Sequence, residues 1–383
     1  MNNIQFATDS TARLSRRSLL AASAGAALGL TMPSNTAAAP KSVRSTQTID
    51  RVIKEMTLEE KIGQMFIIQV HGAEMTDWYR DLLLTVQPGG VLFFGPNVGT
   101  FEQVNTYIDA IQRTGRHAPP LISVDQEGGP VTRVPGDPVP GANQLGLMSD
   151  REVRQFSLDR AEFLREYGFN VNFAPVADIA YTPQSSMVFR SFGSDPDAVS
   201  AKITAVVSGS RRGNVGSAVK HFPGHGRTSV DSHNRMPVVD ISLEEWLATD
   251  AVPFKAAIEV GVEMVMSGHL LFPQWDSAPT TLSKRCVDVL RNELGFEGVI
   301  VTDDLVMGAL KNYTPYDLVD QSVAAGMDMV MYTSSPVPFT ELIGHLAGRV
   351  KSGALSEDQI NASVRRILVM KGFWFPHLAI PLE

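Results

Sequence analysis

Residues 298–331 read GVIVTDDLVMGALKNYTPYDLVDQSVAAGMDMVM and contain the repeating unit from which we predict the fold. A short apolar run at residues 298–301 is followed closely by two acidic residues, Asp303 and Asp304. A segment of helical periodicity covers residues 315–325, and a second apolar run covers residues 327–331. This order predicts two parallel strands joined by a helix, with the acidic pair at the carboxyl end of the first strand.

The same unit recurs along most of the chain. The predicted strands cover residues 64–70, 90–94, 121–124, 171–174, 217–219, 264–267, 298–301 and 327–331. Predicted helices cover residues 101–113, 151–167, 196–212, 243–260 and 315–325, and a last helix at 356–371 begins with the capping-box spacing of Ser356 and Gln359. Eight parallel strands separated by helices predict one closed (β/α)8 barrel of the TIM type, without a second α/β sandwich domain.

The N-terminal segment has a different composition. Arg16 and Arg17 precede a weakly apolar run at residues 21–32, and small residues follow at 36–39. This order is typical of a twin-arginine export signal. The run is shorter than the roughly 20 apolar residues that span a bilayer, so we expect no stable membrane anchor.

These features give the expected domain organisation and location. We divide the chain into a signal peptide at residues 1–39, a lead-in at 40–56, a catalytic barrel at 57–375 and a tail at 376–383. The twin-arginine signal predicts export to the periplasm or secretion from the cell.

Composition excludes several classes of protein. The 383 residues are 44% hydrophobic and 19% charged, which is ordinary for a globular protein. The net charge is −8, and no basic run follows the N-terminal segment, so nucleic-acid binding is not expected. The only cysteine, Cys286, lies in a predicted helix at residues 283–294, which excludes an intramolecular disulfide and favours a buried thiol. We expect a monomer.

Ionisable and amide side chains follow many of the predicted strands. They are His71, Asn97, Asp125, Gln126, Glu127, Asp178, Lys220, His221, His269, Asp303 and Asp304. Active sites of closed βα barrels lie at the carboxyl ends of the strands, where these side chains would meet. Their concentration there predicts an enzyme.

Three motifs carry the chemistry. They are VDQEGG at residues 124–129, with Arg133 beyond it; KHFPGHG at 220–226, followed by DSH at 231–233; and VTDDLVM at 301–307. The spacing of His225, Asp231 and His233 lacks the helical i,i+4 geometry of a zinc-protease motif, and neither a dinucleotide fingerprint nor a Walker loop is present. We therefore expect no metal and no other cofactor.

These motifs resemble those of the family 3 glycoside hydrolases, in particular their β-N-acetylglucosaminidase branch. The signature of that branch is a KHFPGHG run, four residues and then Asp-Ser-His, and it is intact between Lys220 and His233. The resemblance extends over about residues 50–375. One departure is Pro130, where many relatives carry arginine after the two glycines.

The resemblance implies a role for each matching residue. Asp303 corresponds to the catalytic nucleophile, and His233 with Asp231 corresponds to the acid/base pair. The residues that correspond to those holding the terminal sugar are Asp125, Arg133, Arg190, Lys220 and His221. Histidine suits the acid/base role because it titrates near neutrality and a neighbouring carboxylate can orient its ring. Gly224 and Gly226 are expected to let the loop that carries the pair move.

The function implied is that of a retaining exo-β-N-acetylglucosaminidase. Its carbohydrate substrate would be a peptidoglycan fragment or a chito-oligosaccharide. One alternative is a phosphorylase, because a histidine acid/base lacks the negative charge that would repel phosphate. A second is a sugar-binding barrel without turnover, since a fold alone does not establish activity.

Overall fold

The structure is a computed structural model that describes residues 41–375. The predicted signal peptide at residues 1–39 and the predicted tail at 376–383 lie outside the described residues. No helix in the described part of the chain combines the length and the apolar character needed to cross a membrane.

Eight parallel strands form a closed barrel in chain order. The strands are β1 Phe66–Gln69, β2 Gly90–Phe93, β3 Leu121–Val124, β4 Val171–Asn172, β5 Gly216–Phe222, β6 Met264–Ser267, β7 Val299–Asp304 and β8 Met329–Met331. Strand β1 pairs with β2 on one side and with β8 on the other, which closes the sheet. The prediction of a single (β/α)8 barrel is confirmed.

Helices surround the barrel. They are α1 Lys41–Glu55, α2 Leu58–Gln64, α3 Asp77–Val86, α4 Phe101–Gln112, α5 Ala142–Leu145, α6 Asp150–Glu166, α7 Pro196–Arg212, α8 Leu243–Ala248, α9 Ala251–Glu259, α10 Lys284–Asp288, α11 Pro315–Ala325, α12 Phe339–Lys351 and α13 Glu357–Lys371. Hydroxyl residues begin many of them, and Thr57, Thr100, Ser149 and Thr314 each form a reciprocal capping box. The caps satisfy backbone donors that have no partner within the helix.

Apolar side chains fill both faces of the sheet. Every residue of β2, β3 and β6 is buried, as expected for parallel strands covered by helices. Cys286 is also buried, and burial raises the pKa of its thiol to about 11, so it is an inert packing residue. The core therefore holds the barrel without a disulfide.

Strand limits differ most from the predictions near the site. Strand β5 continues beyond residue 219 and includes Lys220 and His221, while β7 includes Asp303 and Asp304. These charged residues read as loop in the sequence. Backbone hydrogen bonds join Lys220 to Pro175 and Ala177, and Asp304 pairs with Met331 of β8. The polar groups of the site thus stand on the barrel itself.

The predicted helix at residues 243–260 is wrong as a single element. It is divided into α8 and α9, and Asp250 lies buried at the break. The Asp250 carboxylate accepts a hydrogen bond from Arg227 Nε at 2.8 Å. Helical periodicity in the sequence cannot predict this ion pair, because its partners are 23 residues apart.

Two other helix predictions also need correction. In the predicted helix at residues 283–294, α10 passes into a π-helical turn, Val289–Glu293. At the last helix, Ser356 occupies the cap position but makes no side-chain cap bond, and Gln359 donates to the carbonyl of Val323 instead. Residues 64 and 65, predicted as strand, belong to the end of α2 and its cap.

Candidate active site

A cavity of about 430 Å³ lies at the carboxyl ends of the strands. Seven of the eight predicted site residues line it: Asp125, Arg133, Arg190, Lys220, His221, His233 and Asp303. The eighth, Asp231, is hydrogen-bonded to His233. Residues that are far apart in the sequence therefore meet where the barrel opens.

Four charged side chains form one wall of the cavity. Lys220 Nζ lies 2.7 Å from Asp125 Oδ1 and 2.7 Å from Glu127 Oε1. Arg190 binds Glu127 through two parallel hydrogen bonds of 2.8 Å, from Nε and Nη2. Two cations and two carboxylates thus compensate one another, and we call these four residues the polar wall.

The electrostatics of the polar wall keep all its buried charges ionised. Burial alone would raise the pKa of Glu127, but the charges and hydrogen bonds of Lys220 and Arg190 outweigh it and hold that pKa far below the ordinary value. Burial acts against the Lys220 ammonium, yet Asp125 and Glu127 raise its pKa. The wall therefore presents fixed charges to a ligand.

His221 is held in place by Asp178. Its Nδ1 lies 2.6 Å from Asp178 Oδ2, and its Nε2 lies 3.3 Å from Arg190 Nη2. Burial would raise the pKa of Asp178, but His221 and His225 lower it, so Asp178 remains an anion. An anionic partner at Nδ1 fixes the ring so that the Nε2 edge faces Arg190 and the cavity.

Asp303 is a carboxylate at the end of β7. Burial raises its pKa, but His221 and His269, the backbone N–H of Asp304 and the charge of Lys220 together lower it below the ordinary value. The Asp304 N–H donates to Asp303 Oδ1 at 2.8 Å. Asp303 is therefore an ionised, oriented carboxylate that faces the cavity.

Asp304 has a different environment. Its Oδ1 accepts the Thr333 backbone N–H at 3.1 Å, and its Oδ2 accepts the Thr333 hydroxyl. Its carbonyl lies 2.9 Å from His269 Nε2. Burial, helped by the charge of Asp303, raises the pKa of Asp304 to about 6. Its contacts tie the end of β7 to the residues after β8.

The loop after β5 carries Asp231 and His233. Their side chains are half exposed or more, and His233 Nδ1 lies 2.8 Å from Asp231 Oδ1. Two backbone hydrogen bonds of 3.0 Å hold the loop beside the turn after β7, from Gly308 N to the His233 carbonyl and from Ala309 N to the Ser232 carbonyl. His233 thus lines the same cavity as Asp303 without any rearrangement.

The glycines of this loop have packing roles. A Cβ at Gly226 would lie 1.9 Å from the Ile179 carbonyl oxygen, so the backbone can approach only because this residue is glycine. Gly224 has φ +134 and lies against Asp250. The predicted role of both glycines in loop movement stays a prediction, because close approach explains Gly226 without motion.

Arg133 supplies a free donor. Its guanidinium lies 5.9 Å from the Phe94 ring centroid, and both side chains line the cavity. Within residues 41–375, Arg133 Nε is buried and has no hydrogen-bond partner. Pro130 is exposed and is not among the residues that line the cavity, so this departure from the family motif leaves the polar wall intact.

A comparison with known protein families shows which family the chain belongs to. The family model described as "Glycosyl hydrolase family 3 N terminal domain" matches residues 57–370. The chain belongs to glycosyl hydrolase family 3.

Relatives of this glycoside hydrolase include proteins named β-hexosaminidase. A "Beta-hexosaminidase" of Methylobacillus flagellatus is 32% identical over 305 residues, which are 76% of this chain and 86% of the relative. The "Beta-hexosaminidase LpqI" of Mycobacterium tuberculosis is 32% identical over 330 residues, which are 82% of each chain.

Solved structures show the same barrel. A family 3 β-N-acetylglucosaminidase from a Paenibacillus species has a TM-score of 0.79 and 34% identity, with 83% of this chain covered. This glycoside hydrolase spans 62% of the length of that Paenibacillus chain. The M. tuberculosis LpqI structure has a TM-score of 0.77 and 29% identity, covering 85% of this chain and 96% of that one.

The structure also gives positions to residues whose roles the sequence left open. Glu127 joins Lys220 to Arg190, and Asp178 holds both His221 and His225. Their signal in the sequence was an acidic residue shortly after a predicted strand, which does not reveal a partner.

Among residues 41–375, no group of three or more His, Cys, Asp or Glu side chains is arranged to hold a metal ion.

Proposed function

We propose that this glycoside hydrolase is a retaining exo-β-N-acetylglucosaminidase that acts on peptidoglycan fragments or chito-oligosaccharides. The observation that carries the proposal is that Asp303, an ionised and partly buried carboxylate, lines one cavity with His233, whose ring is oriented by Asp231. A retaining glycosidase needs such a carboxylate together with a second group that moves a proton. The name of the Paenibacillus structure supports N-acetylglucosamine as the sugar.

In the first step, an Asp303 oxygen attacks the anomeric carbon while the bond to the leaving oxygen breaks. Protonated His233 donates its Nε2 proton to that oxygen, so the leaving group departs as an alcohol. Asp231 remains an anion, because burial raises its pKa less than the His233 contacts lower it. Its charge stabilises the imidazolium before the transfer.

In the second step, neutral His233 accepts a proton from water as the water oxygen attacks the anomeric carbon. The bond to Asp303 then breaks, which regenerates the carboxylate and releases the sugar. Each of the two displacements inverts the anomeric centre, so the product keeps the β-configuration.

The polar wall supports recognition of the terminal sugar. Asp125 offers acceptors, Lys220 and Arg190 offer charged donors, and Arg133 offers a buried donor without a partner in the described chain. Hydroxyl groups and an amide carbonyl are the ligands that such groups bind well. A panel of aryl β-glycosides that differ at the 2-substituent tests the preference, and equal rates on the glucoside and the N-acetylglucosaminide would contradict it.

Asp303→Ala should lower kcat by several orders of magnitude with folding retained, because the other carboxylates that line the cavity are held by Lys220, Arg190 or Thr333. NMR of the fresh product should show the β-anomer for the wild type. An α-product, or a near-normal rate in the variant, would exclude the two-step mechanism. Added phosphate should leave the rate unchanged, and release of a sugar phosphate would instead favour the phosphorylase.

We also propose that the protein is exported by the twin-arginine pathway. The support is the sequence alone, since Arg16 and Arg17 precede a weakly apolar run. Replacing both arginines by lysine should leave the protein in the cytoplasm, as measured by cell fractionation. Unchanged recovery outside the cytoplasm would show that another signal directs export.

A further inference from the structure

Ser232 lies between the two members of the acid/base pair in the sequence, yet its environment is unlike theirs. The Asp231 and His233 side chains are 50% and 67% exposed, while Ser232 is only 3% exposed. The Ser232 hydroxyl lies 3.1 Å from Nε2 of His225, which is itself 1% exposed. The exposed side chains of Asp231 and His233 are thus linked, through Ser232 between them in the sequence, to a buried contact with His225.

We propose that His225 is a positioning residue for the acid/base pair: it holds Ser232 and so fixes where His233 stands at the cavity. The inference rests on the proposed function, because it assigns His225 an effect only through proton transfer by His233. His225 does not line the cavity.

Both ring nitrogens of His225 are engaged. Nδ1 lies 3.0 Å from the Ser186 hydroxyl, and Nε2 contacts Ser232. Ser186 also donates its single hydroxyl proton to the Thr228 carbonyl at 3.2 Å, so it accepts from Nδ1–H. In the neutral ring Nε2 then accepts the proton of the Ser232 hydroxyl. Burial lowers the pKa of His225, which agrees with a neutral ring.

The contact between His225 and Ser232 is connected to the side chains that would bind the sugar. The His225 backbone N–H donates to Asp178 Oδ1 at 2.6 Å, and the other oxygen of that carboxylate holds His221 Nδ1. His221 lines the cavity beside Arg190. One buried carboxylate therefore sets the position of a sugar-binding ring and, through His225 and Ser232, of the acid/base loop.

Loss of the contact between His225 and Ser232 should slow reactions with a basic leaving group more than reactions with an acidic leaving group. Proton donation matters when the leaving oxygen is basic, as in a disaccharide, and little when the leaving group is nitrophenolate. Displacement of a catalytic group by about 1 Å can lower a rate by roughly a hundredfold. A displaced His233 should therefore slow chitobiose hydrolysis much more than formation of the glycosyl-enzyme from a nitrophenyl glycoside.

The test compares Ser232→Ala, His225→Asn and His225→Gln in the full-length protein. Asparagine can replace only the contact of Nδ1 with Ser186, whereas glutamine can reach Ser232 as Nε2 does. Ser200→Ala is the matched control, because this buried hydroxyl binds only the Pro196 carbonyl of α7. The readouts are kcat/KM on chitobiose and on nitrophenyl N-acetylglucosaminide, inhibition by free N-acetylglucosamine, and thermal stability.

We expect Ser232→Ala and His225→Asn to lower kcat/KM on chitobiose at least tenfold more than on the nitrophenyl substrate. His225→Gln should retain more activity than His225→Asn, and inhibition by the free sugar should not change. Ser232→Ala should cause no further loss in a His233→Ala background, because its effect passes through that ring.

Equal losses on both substrates, weaker sugar inhibition in parallel, or additive losses in the His233→Ala background would overturn the proposal. His233→Ala separates the two hypotheses. If it shows no leaving-group dependence, the proposed function fails. If it shows that dependence and Ser232→Ala does not, only the anchoring role of His225 fails.

Discussion

Asp303 and Asp304 are adjacent in the sequence, but their surroundings shift their pKa values in opposite directions. Burial raises the pKa of both carboxyls, yet His221 and His269 more than offset it at Asp303, while Asp304 reaches about 6. Such a difference assigns the anionic role to the first acid and a structural role to the second. The sequence motif offers both residues equally, so this assignment depends on their partners in the barrel.

The raised pKa of Asp304 predicts a pH-dependent contribution to stability. A carboxyl whose folded pKa lies above its unfolded value contributes stability that is full below pH about 4 and is lost as pH rises through about 6. The free energy of unfolding of the wild type, relative to Asp304→Asn, should therefore fall over this window by roughly 3 kcal/mol at most and stay constant above it.

Urea unfolding of both proteins at several pH values measures this difference. Asp320→Asn is a suitable control, because Asp320 is a partly exposed acid on the outer helix α11 whose ion pair is with Arg349 of α12. A wild-type advantage over Asp304→Asn that does not change between pH about 4 and pH about 7 would mean that the Asp304 carboxyl titrates alike in both states.

At the scale of elements, the loop after β5 and the turn after β7 must fit together. A Cβ at Gly308 would lie 2.6 Å from the His233 carbonyl oxygen and 2.8 Å from that of Asn234. Gly308→Ala should therefore displace the loop that carries His233 and lower kcat on chitobiose about tenfold or more, with a smaller loss on the nitrophenyl glycoside.

Gly344→Ala is the control for this substitution. Gly344 lies in α12, and no atom comes within 4 Å of a Cβ built there, so alanine should preserve activity and slightly stabilise the helix. Equal kinetics of Gly308→Ala and wild type on both substrates would mean that the loop does not need this close approach.

The elements also show how far the sequence could predict the fold. Periodicity and polar strand ends were enough for eight strands and their order, because each unit carries its own signal. The limits of β5 and β7 could not be predicted, since Lys220 bonds to the backbone after β4 and Asp304 pairs with Met331 of β8. The break at Asp250 depends on Arg227, which belongs to a different loop.

In the folded molecule, side chains from separate sequence motifs contact one another. Motifs near residues 125, 220 and 303 named the residues of the site, but the pairing of Glu127 with Lys220 and Arg190 and the double role of Asp178 required the closed barrel. Because a closed barrel directs all strand ends to one face, residue types at those ends predicted the site's location and not its internal contacts.

In the proposed mechanism, Asp303 forms a covalent glycosyl-enzyme while His233 moves the proton. In His233→Ala, a nitrophenyl N-acetylglucosaminide should still form the intermediate, but water lacks its base, so the intermediate should accumulate. Intact-protein mass spectrometry during turnover, followed by peptide mapping, measures this directly. We predict a gain of one N-acetylglucosaminyl group on Asp303. An adduct on Asp304 or on another residue, or hydrolysis at a substantial rate with no adduct, would exclude this mechanism.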